Sequence, residues 1–96
     1  MIRNRTIPAI ISVAKKLLAV PDNTIPYSLR HEFSRLRGHV GYYEMTIEYI
    51  NRLEHPTKEK LIALQNDLRR TLSSVRYYTN KILRLRGHYD WWPALL

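Results

Sequence analysis

The stretch Ser28–Glu54, SLRHEFSRLRGHVGYYEMTIEYINRLE, decides the fold. Its apolar residues Leu29, Phe33, Leu36, Val40, Tyr43, Ile47 and Ile50 are separated by alternating intervals of four and three. Side chains at that spacing return to one face of an α-helix, and an unbroken alternation makes a seam along which a second helix packs. The spacing therefore predicts a helix over about 28–54 with its seam buried. Gly38 and Gly41 fall on outward positions of that helix. Each costs about 1 kcal/mol relative to Ala in a helix interior. Their presence predicts either a bend or a close approach to the backbone.

Downstream, His55-Pro56-Thr57 breaks the pattern, and Thr57 is a good cap for a helix that Lys58-Glu59-Lys60 opens. Leu61, Leu64, Leu68, Thr71, Val75, Tyr78, Ile82, Leu85 and Tyr89 repeat the three-four alternation, with Thr71 the one non-apolar member. A helix over about 57–87, stopped by Gly87, follows. At 1.5 Å per residue each long helix spans roughly 40 Å, and so short a connection between facing seams predicts an antiparallel hairpin. The same seams could instead pair between chains, giving a homo-oligomer.

Upstream, Pro-Asp-Asn-Thr-Ile-Pro at Pro21–Pro26 is a loop rich in turn residues. Before it, Ile7, Ile10, Ile11, Ala14, Leu17 and Leu18 share one side of a helix over about 6–20, with Thr6 as cap and Pro8 in the first turn. That helix is too short to stand alone and should lie across a flank of the hairpin. The expected fold is an all-α single domain covering residues 1–96, a three-helix bundle with coiled-coil-like seams. The apolar tail 90–96 holds Trp91, Trp92, Leu95 and Leu96, which must either cover the open end of the bundle or dock into a partner protein.

The composition bounds the function. Sixteen Lys and Arg stand against eight Asp and Glu, giving a net charge of +8 and a pI near 10.1. Such an excess is most often used to hold an anionic partner. The absence of cysteine excludes disulfides, thiolate metal sites and cysteine nucleophiles. It fits an intracellular, cytoplasmic setting. The acid-free segment before Asp22 also has the character of an organellar (mitochondrial) transit peptide, although its apolar spacing suits an ordinary core helix. No apolar run approaches the roughly 20 residues of a membrane span.

Folding the hairpin makes the charge asymmetry spatial. Residues 28–43 come beside residues 68–88, and these stretches hold Arg30, Arg35, Arg37, Arg69, Arg70, Arg76, Lys81, Arg84 and Arg86 with Glu32 as their one acid. The turn end mixes Glu44, Glu48, Glu54, Glu59 and Asp67 with Arg52, Lys58 and Lys60. The expectation is a basic pole and a neutral tip. Arg69, Arg70, Arg76, Tyr77 and Arg84 are expected to form a longitudinal stripe. Arginine predominates, and its planar fork meets phosphate in two parallel hydrogen bonds and stacks on rings. The pentapeptide Arg-Leu-Arg-Gly-His occurs at Arg35–His39 and again at Arg84–His88, each copy followed by an aromatic pair, Tyr42-Tyr43 or Trp91-Trp92.

These features favour a non-enzymatic basic helical protein that contacts nucleic-acid phosphates, of structured RNA or a DNA duplex, without strong sequence specificity. The anion-binding set is Arg30, Arg35, Arg37, Arg69, Arg70, Arg76, Tyr77, Lys81, Arg84 and Arg86. No zinc-finger, RNA-recognition or basic-zipper signature is present. The alternative is a small accessory subunit or inhibitor in a larger complex, an organellar assembly or a virion. There the same cations meet an acidic protein surface and Trp91, Trp92, Leu95 and Leu96 dock on a neighbour. No base-nucleophile pair, metal-ligand spacing or cofactor motif stands out among His31, His39, His55, His88 and the carboxylates, so no catalytic residue, metal or cofactor is expected.

Overall fold

Five helical segments follow one another in the computed structural model, which describes residues 8–86. Helix α1 spans Ala9–Leu18, α2 spans Arg30–Arg52 and α3 spans Lys58–Arg86, with short 3-10 turns at Asp22–Thr24 and Tyr27–Leu29. The described residues contain no strand and form a rod of 51 × 19 × 18 Å. The all-α hairpin with a short third helix is the fold that the seams predict. Tyr89 and the tail residues Trp91, Trp92, Leu95 and Leu96 lie outside the described residues.

The boundaries shift by a few residues for local reasons. Pro8 caps α1, while Thr6 lies outside the described residues. The helix ends at Leu18, two residues before the expected stop, since Ala19 donates its N–H to the Lys16 carbonyl and closes the last turn. In the loop, Thr24 Oγ1 donates to the Pro21 carbonyl at 2.7 Å, and Val20 and Ile25 are buried, which ties the loop to the bundle. The start of the second helix is wound as a 3-10 turn, and Leu53 is already extended. His55 reverses the chain with φ 53°, in the left-handed region that non-glycine residues seldom occupy. Thr57 caps α3 as expected, its Oγ1 accepting the Lys60 N–H at 3.1 Å.

The seams pack as a hairpin core. Leu29, Phe33, Leu36, Val40, Tyr43 and Ile50 of the first seam are buried, as are Leu68, Thr71, Val75 and Ile82 of the second. Helix α1 adds Ile11, Ala14 and Leu17 and contacts both long helices. Within the chain each seam packs against the other. A two-helix seam underestimates the core, however. Thr46 and Thr79 are buried, and Leu72 and Leu83 pack against the core from off the seam. A helix contacting two neighbours needs a wider apolar arc than a coiled-coil strip.

The close backbone approach expected at the glycines is not made. Helix α2 runs unbroken through Gly38 and Gly41, and a Cβ placed on either would meet nothing within 4 Å. The double substitution Gly38→Ala, Gly41→Ala should therefore raise stability by about 1 kcal/mol per site, the entropy that glycine loses in a helix. A thermal melt followed by circular dichroism should move up by several degrees. A drop in melting temperature would show that the bare backbone serves the fold.

Candidate nucleic-acid interface

Antiparallel packing of α2 on α3 determines which charges meet. Four cross-helix contacts fix the register. From the turn outward, these are Lys60 over the Tyr49 ring at 5.4 Å, Tyr42 to Asp67, His39 on Tyr78, and Lys81 to Glu32. Arg30 and Arg35 are thereby brought to the same half of the rod as Arg76, Lys81 and Arg84, while Arg69 and Arg70 lie nearer its middle. The basic region is less a polar cap than a band over more than half the hairpin.

Ion pairing divides that band. Arg37 lies 3.6 Å from Asp22 of the loop, Lys81 lies 3.0 Å from Glu32, and Arg70 is bonded to Asp67. Asp67 therefore does not belong to a self-contained neutral tip. It accepts from Arg70 one turn on and from the Tyr42 hydroxyl at 3.0 Å, and these two hydrogen bonds, Arg70 first, hold its carboxyl below the usual range. Arg30, Arg35, Arg69, Arg76 and Arg84 are exposed and have no acid within ion-pair distance among the described residues. Arg69 meets only Asn66, at 3.4 Å. Arg86 closes α3, with its side chain outside the described part.

The expected single stripe resolves into two rows. Arg70, Tyr77 and Arg84 recur every seven residues and share one line along α3. Arg69 and Arg76 form a second line, about 100° round the helix from Arg70. Arg69 borders a shallow groove with Tyr43, Gln65, Leu68 and Leu72, whereas Arg70 faces Tyr42 on the other flank. Tyr42, Tyr49 and Tyr77 face outward. Two of them carry a lysine over the ring, Lys60 on Tyr49 and Lys81 on Tyr77.

Among the described residues the Glu32–Lys81 pair is the ion pair that the bundle half-encloses, with side chains 11% and 30% exposed. The hydrogen bond from Lys81 lowers the Glu32 carboxyl against the opposing effect of burial, with His31 adding a smaller lowering. The same bond raises the Lys81 ammonium, helped by Tyr77 and Tyr78. A carboxyl lowered on folding stabilises the protein above its unfolded value and loses that contribution as pH falls through the folded one. A raised ammonium contributes below its unfolded value and is lost as pH rises through the folded one. The pair should thus stabilise the hairpin from mildly acid to mildly alkaline pH. Glu32→Gln should lower the melting temperature near neutrality and flatten its acid dependence below the ordinary carboxylate range. Parallel acid profiles for the two proteins would refute this.

No helix among the described residues is long and apolar enough to cross a membrane. No protein-family model matches the chain, and neither characterised proteins nor solved structures provide a match.

Proposed function

We propose that the protein is a non-enzymatic helical module that binds nucleic-acid backbone without strong sequence specificity. The observation carrying this reading is the group of five exposed arginines, Arg30, Arg35, Arg69, Arg76 and Arg84, that have no acidic partner in the described structure. Where an acid lies within reach, as for Arg37, Arg70 and Lys81, it is used. Unneutralised guanidinium groups gathered along one band of the rod repel each other, and a polyanion removes that repulsion while supplying bidentate acceptors. A rod of 51 Å is also long enough to follow a backbone over several phosphates.

Electrostatic binding of this kind releases condensed counterions, so its salt dependence reports the number of phosphates held. For about five contacts, affinity for a mixed-sequence oligonucleotide should fall on the order of 10²–10³-fold between 50 and 200 mM salt. Fluorescence anisotropy titrations at four salt concentrations measure that slope. Absence of binding at 50 mM salt would overturn the proposal, as would an affinity indifferent to salt.

A further inference from the structure

Among the described residues, one flank of the hairpin is left bare. Lys15 bonds Glu44 at 2.7 Å and Asp22 approaches Arg37 at 3.6 Å, which places α1 and its following loop on the Glu44 side of α2. Tyr42 precedes Glu44 by two residues and so points roughly the opposite way, about 200° round the helix. On that uncovered flank Arg35, Tyr42 and Tyr49 recur at seven-residue intervals along α2, and Arg70, Tyr77 and Arg84 do the same along α3. Both rows mix cations with rings. Tyr42, Tyr49 and Tyr77 are 45%, 41% and 57% exposed. They are also held in place rather than free. The Tyr42 hydroxyl is fixed on Asp67, Lys60 covers one face of Tyr49, and Tyr77 meets Tyr78 edge-on with centroids 5.0 Å apart.

We infer that this flank is a stacking platform for single-stranded nucleic acid, with bases on Tyr42, Tyr49 and Tyr77 and phosphates on Arg35 and Arg84. The inference rests on the nucleic-acid reading above and specifies the form of nucleic acid that the bare flank takes. A duplex hides its base faces, so exposed rings add nothing to duplex affinity, whereas each unpaired base presents a π-face to an aromatic ring. Rings one heptad apart stand about 10.5 Å from each other along the axis, a spacing that an extended strand bridges with an intervening nucleotide. Stacking of this type is indifferent to base identity. The net positive charge of the chain, +8, opposes a second copy on the same face.

The test compares labelled U12 and dT12 strands with a mixed-sequence 12-base-pair duplex by anisotropy at 100 mM salt. Wild-type protein should bind either strand at least about 10-fold more tightly than the duplex. The triple substitution Tyr42→Leu, Tyr49→Leu, Tyr77→Leu should lower strand affinity about 100-fold or more, given the usual worth of a base–aromatic stack, and leave duplex affinity within about threefold. Replacing the same three tyrosines by Phe keeps the rings and should keep strand binding. A wild-type protein that prefers the duplex, or Leu variants that bind strands like wild type, would overturn the platform while leaving backbone binding intact. Failure of every probe to bind would remove both. A concentration-dependent dimer lost in the Leu variants would assign the flank to a second copy and also overturn the platform.

Discussion

Gln at Arg69, Arg76 and Arg84 together should weaken binding of mixed-sequence nucleic acid by on the order of 10²–10³-fold at 0.1 M salt and reduce the slope of log affinity against log salt by about 2.7. Each phosphate contact contributes roughly 0.9 to that slope on duplex DNA, so removing three cations predicts both numbers from one cause. The sites are suited to the test because the fold does not use them. All three side chains are exposed, none is paired with an acid among the described residues, and Gln keeps the helix propensity and much of the aliphatic stem. Far-ultraviolet circular dichroism and the melting temperature should therefore stay at wild-type values. The informative control is the triple Arg37→Gln, Arg70→Gln, Arg52→Gln. Those cations already sit on Asp22, Asp67 and Glu48, and their removal frees as many carboxylates to repel phosphate as it removes positive charges. If the first triple leaves affinity and slope unchanged, phosphate binding through these arginines is refuted, whatever the control does.

The contrast between the two sets shows what a sequence does and does not carry. The seams were legible because burial repeats with the helix period, and Leu29, Phe33, Leu36, Val75 and Ile82 sit in the core as that period requires. The clustering of Arg35 with Arg84 in one half followed from the hairpin topology alone. Pairing did not. Whether Arg37 meets Asp22, or Lys81 meets Glu32, depends on rotamer, on helix rotation and on where a loop is pinned, none of which leaves a periodic trace. Thr79 escaped notice for a different reason. It is fully buried between apolar neighbours on a helix contacting both α1 and α2, and a hydrophobicity pattern scores threonine as surface. The bare flank is the subtler case. Tyr42 and Tyr49 lie off the apolar seam, but only the docking of α1 on the Glu44 side distinguishes a covered face from an open one. The equivalence of Asp67 with the other acids of the turn end failed likewise, since its carboxylate is shared by Arg70 and Tyr42.

Truncating the core should have the largest effect on the folded state. Phe33 is 1% exposed and heads the fully buried side chains by volume. It lies on the first seam between Leu29 and Leu36, both also buried, so a cavity left there is walled by groups already in contact and cannot collapse cheaply. Phe33→Ala should cost about 3–5 kcal/mol. A domain of this size has a total stability in the region of 5–14 kcal/mol, at roughly 0.05–0.15 kcal/mol per residue. The substitution therefore removes about a fifth or more of what holds the bundle together, and the melting temperature should fall by more than about 10 °C, since each kcal/mol shifts it by about 4–8 °C in a domain of this length. Tyr27 supplies the matched aromatic control. It is 88% exposed in the 3-10 turn before α2, and Tyr27→Ala should stay within about 0.5 kcal/mol of wild type. Urea titration of both variants separates the outcomes. The expected result is a large fall in midpoint for Phe33→Ala with an unchanged slope, and a superimposable curve for Tyr27→Ala. A Phe33→Ala protein as stable as wild type would mean that α2 does not pack through this seam. The convergence of Arg35 and Arg84 would then lose its structural basis, because the same packing produces both.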